Sequence, residues 1–395
     1  MLAALSPADQ AEYARDFRNA DETIGTGRVA ATTEDRLRFW QRWIQYVRPL
    51  PIDPYLISTP FQPKIRAITG FAERVRSGYY GHGDRVSCGR VQTAIRAVSQ
   101  TCELDNGESP IRKGPKEYLK PLELLFAGYR KQDPDSVPEL AVPVTLVNQI
   151  VTQYTAPGTT AKDHAIADLS LIAFYFLLRV GEYTHPRKKG TTRTQQFRFQ
   201  DIAFKHENTF VQRDAPNSTI LQATGGTLRL SNQKNGIRGS LIHRCKLATE
   251  DTTFCPIKAL GRRYLHLRDN NASKDDLISS YWDHNGQHHI QPDDILKAVR
   301  IACVQLKLES QGITPDRIGS HSLRAGGAMA LKFAGADRDD IKKLGRWSSD
   351  TFLIYIHDQI AAYQEGWTTK MAEHRDFFNL EGAFSTLHID PPPLA

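Results

Sequence analysis

Gly319–Tyr355 reads GSHSLRAGGAMALKFAGADRDDIKKLGRWSSDTFLIY, and the reading of the chain starts from this stretch. His321 and Arg324 stand three residues apart in what the pattern predicts to be one helix, so both lie on one face of its first turn. Ala325, Gly326, Gly327 and Ala328 follow directly, and small residues at that place predict close packing against a neighbouring backbone. Further on, Trp347 and Tyr355 are expected on a second, short helix.

Upstream residues supply more of the same chemistry. Asp163–Leu178 is apolar on nearly all sides, which predicts a central buried helix. It runs into Leu178-Arg179-Val180-Gly181-Glu182. A charge at the end of a buried helix needs a partner, because a lone buried ion costs several kcal/mol. Glu182 or a bound phosphate would serve. Beyond Gly190 the pattern shortens and alternates: Phe197–Phe204, Thr209–Gln212, Ser218–Gln222, Thr227–Asn232 and Ser240–Arg244 are expected as strands of a small antiparallel sheet. Asn235-Gly236 between the last two is a hairpin signal, and it places Lys234 on a projecting arm.

Before these elements lies a helical region. Trp40, Trp43, Ile44 and Val47 repeat at helical spacing, and two more helices are expected near Ile65–Arg76 and Arg85–Thr101. Their exposed faces are expected to carry Arg66, Arg74, Arg76, Arg85, Arg90 and Arg96. Residues 1–30 read as a flexible N-terminal arm, 31–135 as a helical bundle and 144–365 as a second domain. The stretch Asp133–Pro143, rich in proline and polar residues, is expected as an exposed linker. The tail 366–395 carries Phe377, Phe378, Leu380 and Phe384, which suits docking on this chain or on another copy. The fold class is therefore mainly α with a small antiparallel β-sheet, in two domains.

Bulk properties agree. At 395 residues, 40% apolar and 24% charged, the chain can bury two cores. Its longest apolar run, Leu169–Leu178, is too short to cross a bilayer, and no secretory signal opens the sequence, so no membrane partner is expected. Five scattered cysteines without C-x-x-C spacing argue against a disulfide framework or a zinc site, and fit a reducing compartment. The net charge of +7 is concentrated: Arg179–Lys246 holds 13 Lys/Arg against 4 Asp/Glu. A basic block in an otherwise balanced chain is the footprint of a phosphate-binding surface.

Taken in order, Arg179, Lys234, His321, Arg324, Trp347 and Tyr355 resemble the tyrosine recombinase (phage-integrase-like) family. The segment GRWSSDTFLIYIH is most similar in style to recombinases of eukaryotic mobile elements. The resemblance implies a helical core-binding domain and an α+β catalytic domain that together clamp duplex DNA. It also implies a homotetramer on that DNA, with no metal, cofactor or small-molecule substrate, and an intracellular site at DNA, the nucleus if the host is eukaryotic. In such an enzyme Tyr355 attacks the scissile phosphate, Arg179 and Arg324 hold its non-bridging oxygens, and His321 bonds the phosphate or takes the phenol proton. Lys234 protonates the leaving 5′-oxygen, and Glu182 orients its neighbours. One position departs from the family, which has His or Trp immediately after the Gly that precedes the tyrosine helix. Here Arg346 follows Gly345 and Trp347 comes one later, and the expectation is that Trp347 fills the role. A type IB topoisomerase and a non-catalytic DNA-binding relic of a mobile element are the competing readings. An Arg-rich RNA-binding module fits less well, because no stacking aromatics on a sheet are evident.

Overall fold

The computed structural model describes residues 6–26, 30–114, 117–135, 139–185, 195–207, 209–231, 239–249, 252–350 and 352–353. Lys234, Tyr355 and the tail from 366 lie outside the described residues. The fold is mainly helical with small antiparallel sheets. Contacts divide the chain into two compact units: the described residues up to Asp135 fall in the first and those from Glu139 onward in the second.

In the first unit, α1 (Pro7–Thr26) forms where an arm was expected; its residues are good helix formers, yet its described side chains stay largely exposed. Helices α2 (Ala30–Val47), α3 (Phe61–Arg76), α4 (Cys88–Asn106) and α5 (Lys120–Gln132) surround one core, with a short β1 (Arg112–Gly114)–β2 (Glu117–Tyr118) ladder before α5. Phe39, Trp43 and Val47 recur every four residues along α2 and meet Phe71, Val91, Ile95 and Phe126. Ser87 caps α4, accepting from the Arg90 amide, and Gly107 ends the helix in the left-handed conformation. One arginine departs from its expected exposure. Arg76 is buried, paired with Asp133 and donating to the carbonyls of Val86 and Tyr129. The Asp133 carboxylate also accepts from the Cys88 amide at 2.8 Å. That residue of the expected linker is therefore held by its own unit, and Leu140–Val142 are buried in the second unit. Local composition cannot anticipate such distant partners.

The second unit is built around α7 (Ala161–Tyr175), preceded by α6 (Val144–Tyr154). Every residue from Ala165 to Phe174 is buried, and a Thr160–Asp163 capping box starts the helix. Its one buried carboxylate, Asp168, accepts from Arg262 Nε at 2.8 Å, while burial pushes its pKa up. Next come α8 (Val180–Tyr183), β3 (Ile202–His206), β4 (Thr209–Phe210), α9 (Asn217–Leu221), β5 (Gly225–Arg229) and β6 (Leu241–Cys245). The strands pair antiparallel in the order β4-β3-β5-β6, and Ile202, Phe204, Leu228 and Ile242 point inward. The expected strand at Ser218–Gln222 is instead helix α9. Pro216 sets the backbone just ahead of it, and five alternating residues are too few to distinguish the two periods.

Helix α10 (Pro256–Asp269) backs the sheet. The β7 (Ser280–Asp283)–β8 (Gly286–His289) hairpin follows, its Asn285-Gly286 turn unread at the sequence level, and then α11 (Pro292–Gln305), α12 (Ser322–Phe333) and α13 (Arg338–Gly345). Gly326 and Gly327 justify the small-residue expectation: an added Cβ would lie 2.1 Å from the Val142 carbonyl oxygen and 2.3 Å from that of Phe174.

His266 on α10 gives this unit a pH dependence. Its ring packs against Trp282, its Nε2 has no partner among the described residues, and burial depresses its pKa to about 4. Between pH 6.5 and 4 the unfolded chain therefore binds a proton that the folded chain does not, so stability falls as pH drops through this window. Allowing for solvent at a half-buried ring, the loss is about 1–2 kcal/mol. Thermal melts at pH 7.5 and 4.5 should show it, and His266→Phe should flatten the difference.

Candidate active site

Two helix ends build the site. Helix α7 closes with a Schellman motif: Leu178 N donates to Ala173 O at 2.9 Å and Leu177 N to Phe174 O at 3.4 Å. Leu177 takes the left-handed position, φ 54°, normally left to glycine, at a cost of about 1–2 kcal/mol. The expected helical run to Leu178 therefore stops at Tyr175, and the turn frees the Leu177 carbonyl. Helix α13 ends the same way, with Trp347 N donating to Lys342 O at 3.0 Å and Arg346 N to Lys343 O at 3.2 Å. Arg346 is its left-handed residue, φ 60°.

A continuous bonded path joins the charged groups between these ends. Arg179 precedes α8, and its Nη1 donates to Glu182 Oε1 at 3.1 Å while its backbone amide donates to Oε2 at 2.9 Å. Glu182 is fully buried. Its Oε2 also accepts from Arg346 Nη2 at 3.1 Å, and the same Nη2 donates to Leu177 O at 2.9 Å. Arg324, on the first turn of α12, sends Nη1 to that Leu177 oxygen at 3.0 Å and Nη2 to the Gly345 carbonyl. Arg179 and Arg324, distant in sequence, thus meet through one carboxylate and one carbonyl.

Trp347 belongs to the Arg324 side. Its ring lies 4.3 Å from the Arg324 guanidinium carbon, a cation–π contact, and 5.3 Å from the Phe352 ring. It folds back over Gly345 so tightly that a Cβ there would fall 1.5 Å from the indole. Trp347 therefore sits beyond the end of α13, in the turn, and not on a helix as expected. His321 stands at the N-cap of α12, exposed, its amide donating to Glu139 Oε2 at 2.8 Å. Lys234 lies outside the described residues; the β5–β6 ladder closes at Leu230 with Gly239 and Ser240.

Sequence reasoning missed one member. Arg244 on β6 donates from Nε to Tyr175 O at 2.8 Å and from Nη2 to Leu344 O at 3.4 Å, bracing the two helix ends against the sheet. Burial, with Arg346 nearby, lowers its pKa to about 10. The basic block of the sequence included it, but nothing local set it apart from its neighbours. Arg346 is likewise shifted down, first by burial and then by Arg179, against the opposing pull of Glu182. Two guanidiniums, Arg179 and Arg346, thus share the Glu182 carboxylate, Arg324 meets Arg346 at the Leu177 carbonyl, and Arg244 lies close enough to feel the charge of Arg346. That imbalance suits a bound anion with several oxygens, since planar guanidinium forks match phosphate geometry.

The geometry makes a specific demand on Gly345. Gly345→Ala should push Trp347 off Arg324 and lower unit stability by about 1–3 kcal/mol, the usual cost of overpacking. Trp347→Ala in the same chain should relieve the clash, so the double variant should melt no lower than the Gly345→Ala single.

The chain matches no family model and no curated protein. Among solved structures it is similar to XerA recombinase, at 14% identity and TM-score 0.36 over 90% of this chain and 96% of that one. It is similar to the Tn1549 transposon integrase in complex with transposon right end DNA, at 12% identity and TM-score 0.43 over 93% and 97%. A further similarity is to XerH site-specific recombinase bound to difH substrate in a pre-cleavage complex, at 13% identity and TM-score 0.36 over 91% and 98%. By their descriptions these solved structures are two recombinases and an integrase. Overlap this loose leaves the chemistry to be read from the chain's own side chains.

Proposed function

We propose that this chain is a site-specific DNA recombinase or integrase that cleaves and rejoins strands through a 3′-phosphotyrosine. The observation that carries the reading is the meeting of Arg179 and Arg324 through Glu182, Arg346 and the Leu177 carbonyl. Two arginines on one buried carboxylate, with a third joined to them through a carbonyl, leave an excess of positive charge that a phosphodiester would neutralise. In the proposed reaction the Tyr355 oxygen attacks phosphorus and the bond to the 5′-oxygen breaks. The phenol proton passes to His321 or solvent, and Lys234 gives a proton to the leaving 5′-oxygen, which departs as a hydroxyl. Arg179 and Arg324 hold the two non-bridging oxygens as negative charge builds in the pentacoordinate phosphorane. The phosphotyrosine keeps the energy of the broken bond, so attack by a second strand's 5′-hydroxyl reseals DNA without ATP or metal. Two exchanges at two sites require four protomers, and the 366–395 tail is a candidate link between them.

The test is incubation of the full chain with nicked duplex DNA carrying the terminal sequences of its source locus. A covalent adduct should form, and peptide mass mapping should place the DNA 3′-phosphate on Tyr355. Linkage to any other residue, or binding with no adduct, would overturn the assignment. Relaxation of supercoiled plasmid without joining of two sites would favour the topoisomerase reading.

A further inference from the structure

Arg346 has more donors than the protein uses. Its side chain is 10% exposed, and only Nη2 is bonded, to Glu182 and Leu177. Nε and Nη1 are buried and have no partner among the described residues. A buried donor left unpaired costs about 1–3 kcal/mol, so a guanidinium held in place by one nitrogen while the rest of its fork is unused is an expensive arrangement without a ligand. Its position explains the expense. Arg346 shares Glu182 with Arg179 and the Leu177 oxygen with Arg324, so it stands between the two arginines assigned to the phosphate. Trp347, by contrast, has its ring committed to Arg324, Phe352 and the Gly345 backbone.

We propose that Arg346 is a third guanidinium ligand of the scissile phosphate, donating Nε–H and Nη1–H to a non-bridging oxygen, and that Trp347 is a positioning residue acting through Arg324. The inference rests on the recombinase reading and assigns a role within that site. Glu182 fixes the direction of the Arg346 fork through Nη2 before DNA arrives; the atoms that cover Nε and Nη1 move aside as the phosphate seats, and pairing the two donors offsets that movement. The lowered proton affinity of Arg346 has the same origin, a cation buried beside Arg179 with a single shared carboxylate.

Charge neutralisation at the substrate separates a phosphate ligand from a structural brace. Nicked duplex DNA from the source locus is prepared with either a natural scissile phosphate or a methylphosphonate, in which one charged oxygen is replaced by a methyl group. With natural DNA, Arg346→Ala should form adduct about 10²–10³-fold more slowly than the unaltered chain. With methylphosphonate DNA the deficit should shrink to about ten-fold or less, because the oxygen needing the third guanidinium is gone. Arg346→Lys, which retains a cation for Glu182, carries the same comparison should the alanine variant fail to fold. An equal deficit on both substrates, or undiminished cleavage of natural DNA by a folded variant, would overturn the assignment while leaving the recombinase reading intact. Absence of adduct with the unaltered chain would remove that reading and this inference with it.

Discussion

Arg324→Ala should slow strand cleavage by about 10³-fold while changing duplex affinity by no more than about three-fold. The asymmetry follows from where Arg324 sits. It is almost wholly buried, both terminal nitrogens are held by carbonyls, and the Trp347 ring covers its face. Such a group contributes little to drawing in a polyanion, because affinity is spread over many phosphates and each accounts for a small part of the salt dependence. It contributes heavily once charge develops at one phosphorus, because its orientation is already set. Arg324→Lys should be nearly as slow, since an ammonium cannot reach both the Leu177 and Gly345 carbonyls and present donors forward at once. Single-turnover adduct formation, set against gel-shift affinity at fixed salt, separates the two quantities. A loss of affinity matching the loss of rate would make Arg324 a docking residue and sink the argument.

How far the sequence could see into this site depends on the range of the interaction. Periodicity made the buried helix ending near Arg179 legible, because a helix apolar on every side has few other uses. The glycines of α12 were legible as a packing surface for the same reason, and the structure puts the Val142 and Phe174 carbonyls against them. The Arg179–Glu182 pair was readable from a spacing of three. What escaped was set by backbone conformation and distant partners. Two non-glycine residues, Leu177 and Arg346, take left-handed conformations that no propensity would assign to them. That pair of turns decides the site. The first aims the Leu177 carbonyl at two arginines, and the second swings Arg346 toward Glu182 while sending Trp347 back over Gly345. Residue order gave Trp347 the forward role; the turn leaves Arg346 with two buried donors that have no partner among the described residues. Arg244 was hidden because its partners, Tyr175 and Leu344, come from elements far away in the chain.

Glu182→Ala should be among the most destabilising single substitutions in the second unit, at about 3–5 kcal/mol. The carboxylate is fully buried and accepts two side-chain bonds and one backbone bond, from Arg179 and Arg346. Removing it leaves the Arg346 guanidinium nine-tenths buried with no counter-charge, and the loss measures that uncompensated cation more than the net worth of the pair. A drop of this size corresponds to about 10 °C in the melting midpoint of a unit this large. Glu182→Gln, which keeps the volume and one acceptor oxygen, should lose distinctly less. The cause can be isolated by a double substitution: in an Arg346→Met background the stranded charge is gone, so Glu182→Ala should cost far less there than in the unaltered chain. Additive losses would place the effect in packing and not in charge. An anion offers the complementary test. If the cluster is built for phosphate, millimolar inorganic phosphate should raise the melting midpoint of Glu182→Ala more than that of the unaltered chain, because the empty carboxylate position increases the site's appetite for negative charge. Equal shifts in the two proteins would mean that Glu182 neutralises a local defect and has no part in poising the arginines for a ligand.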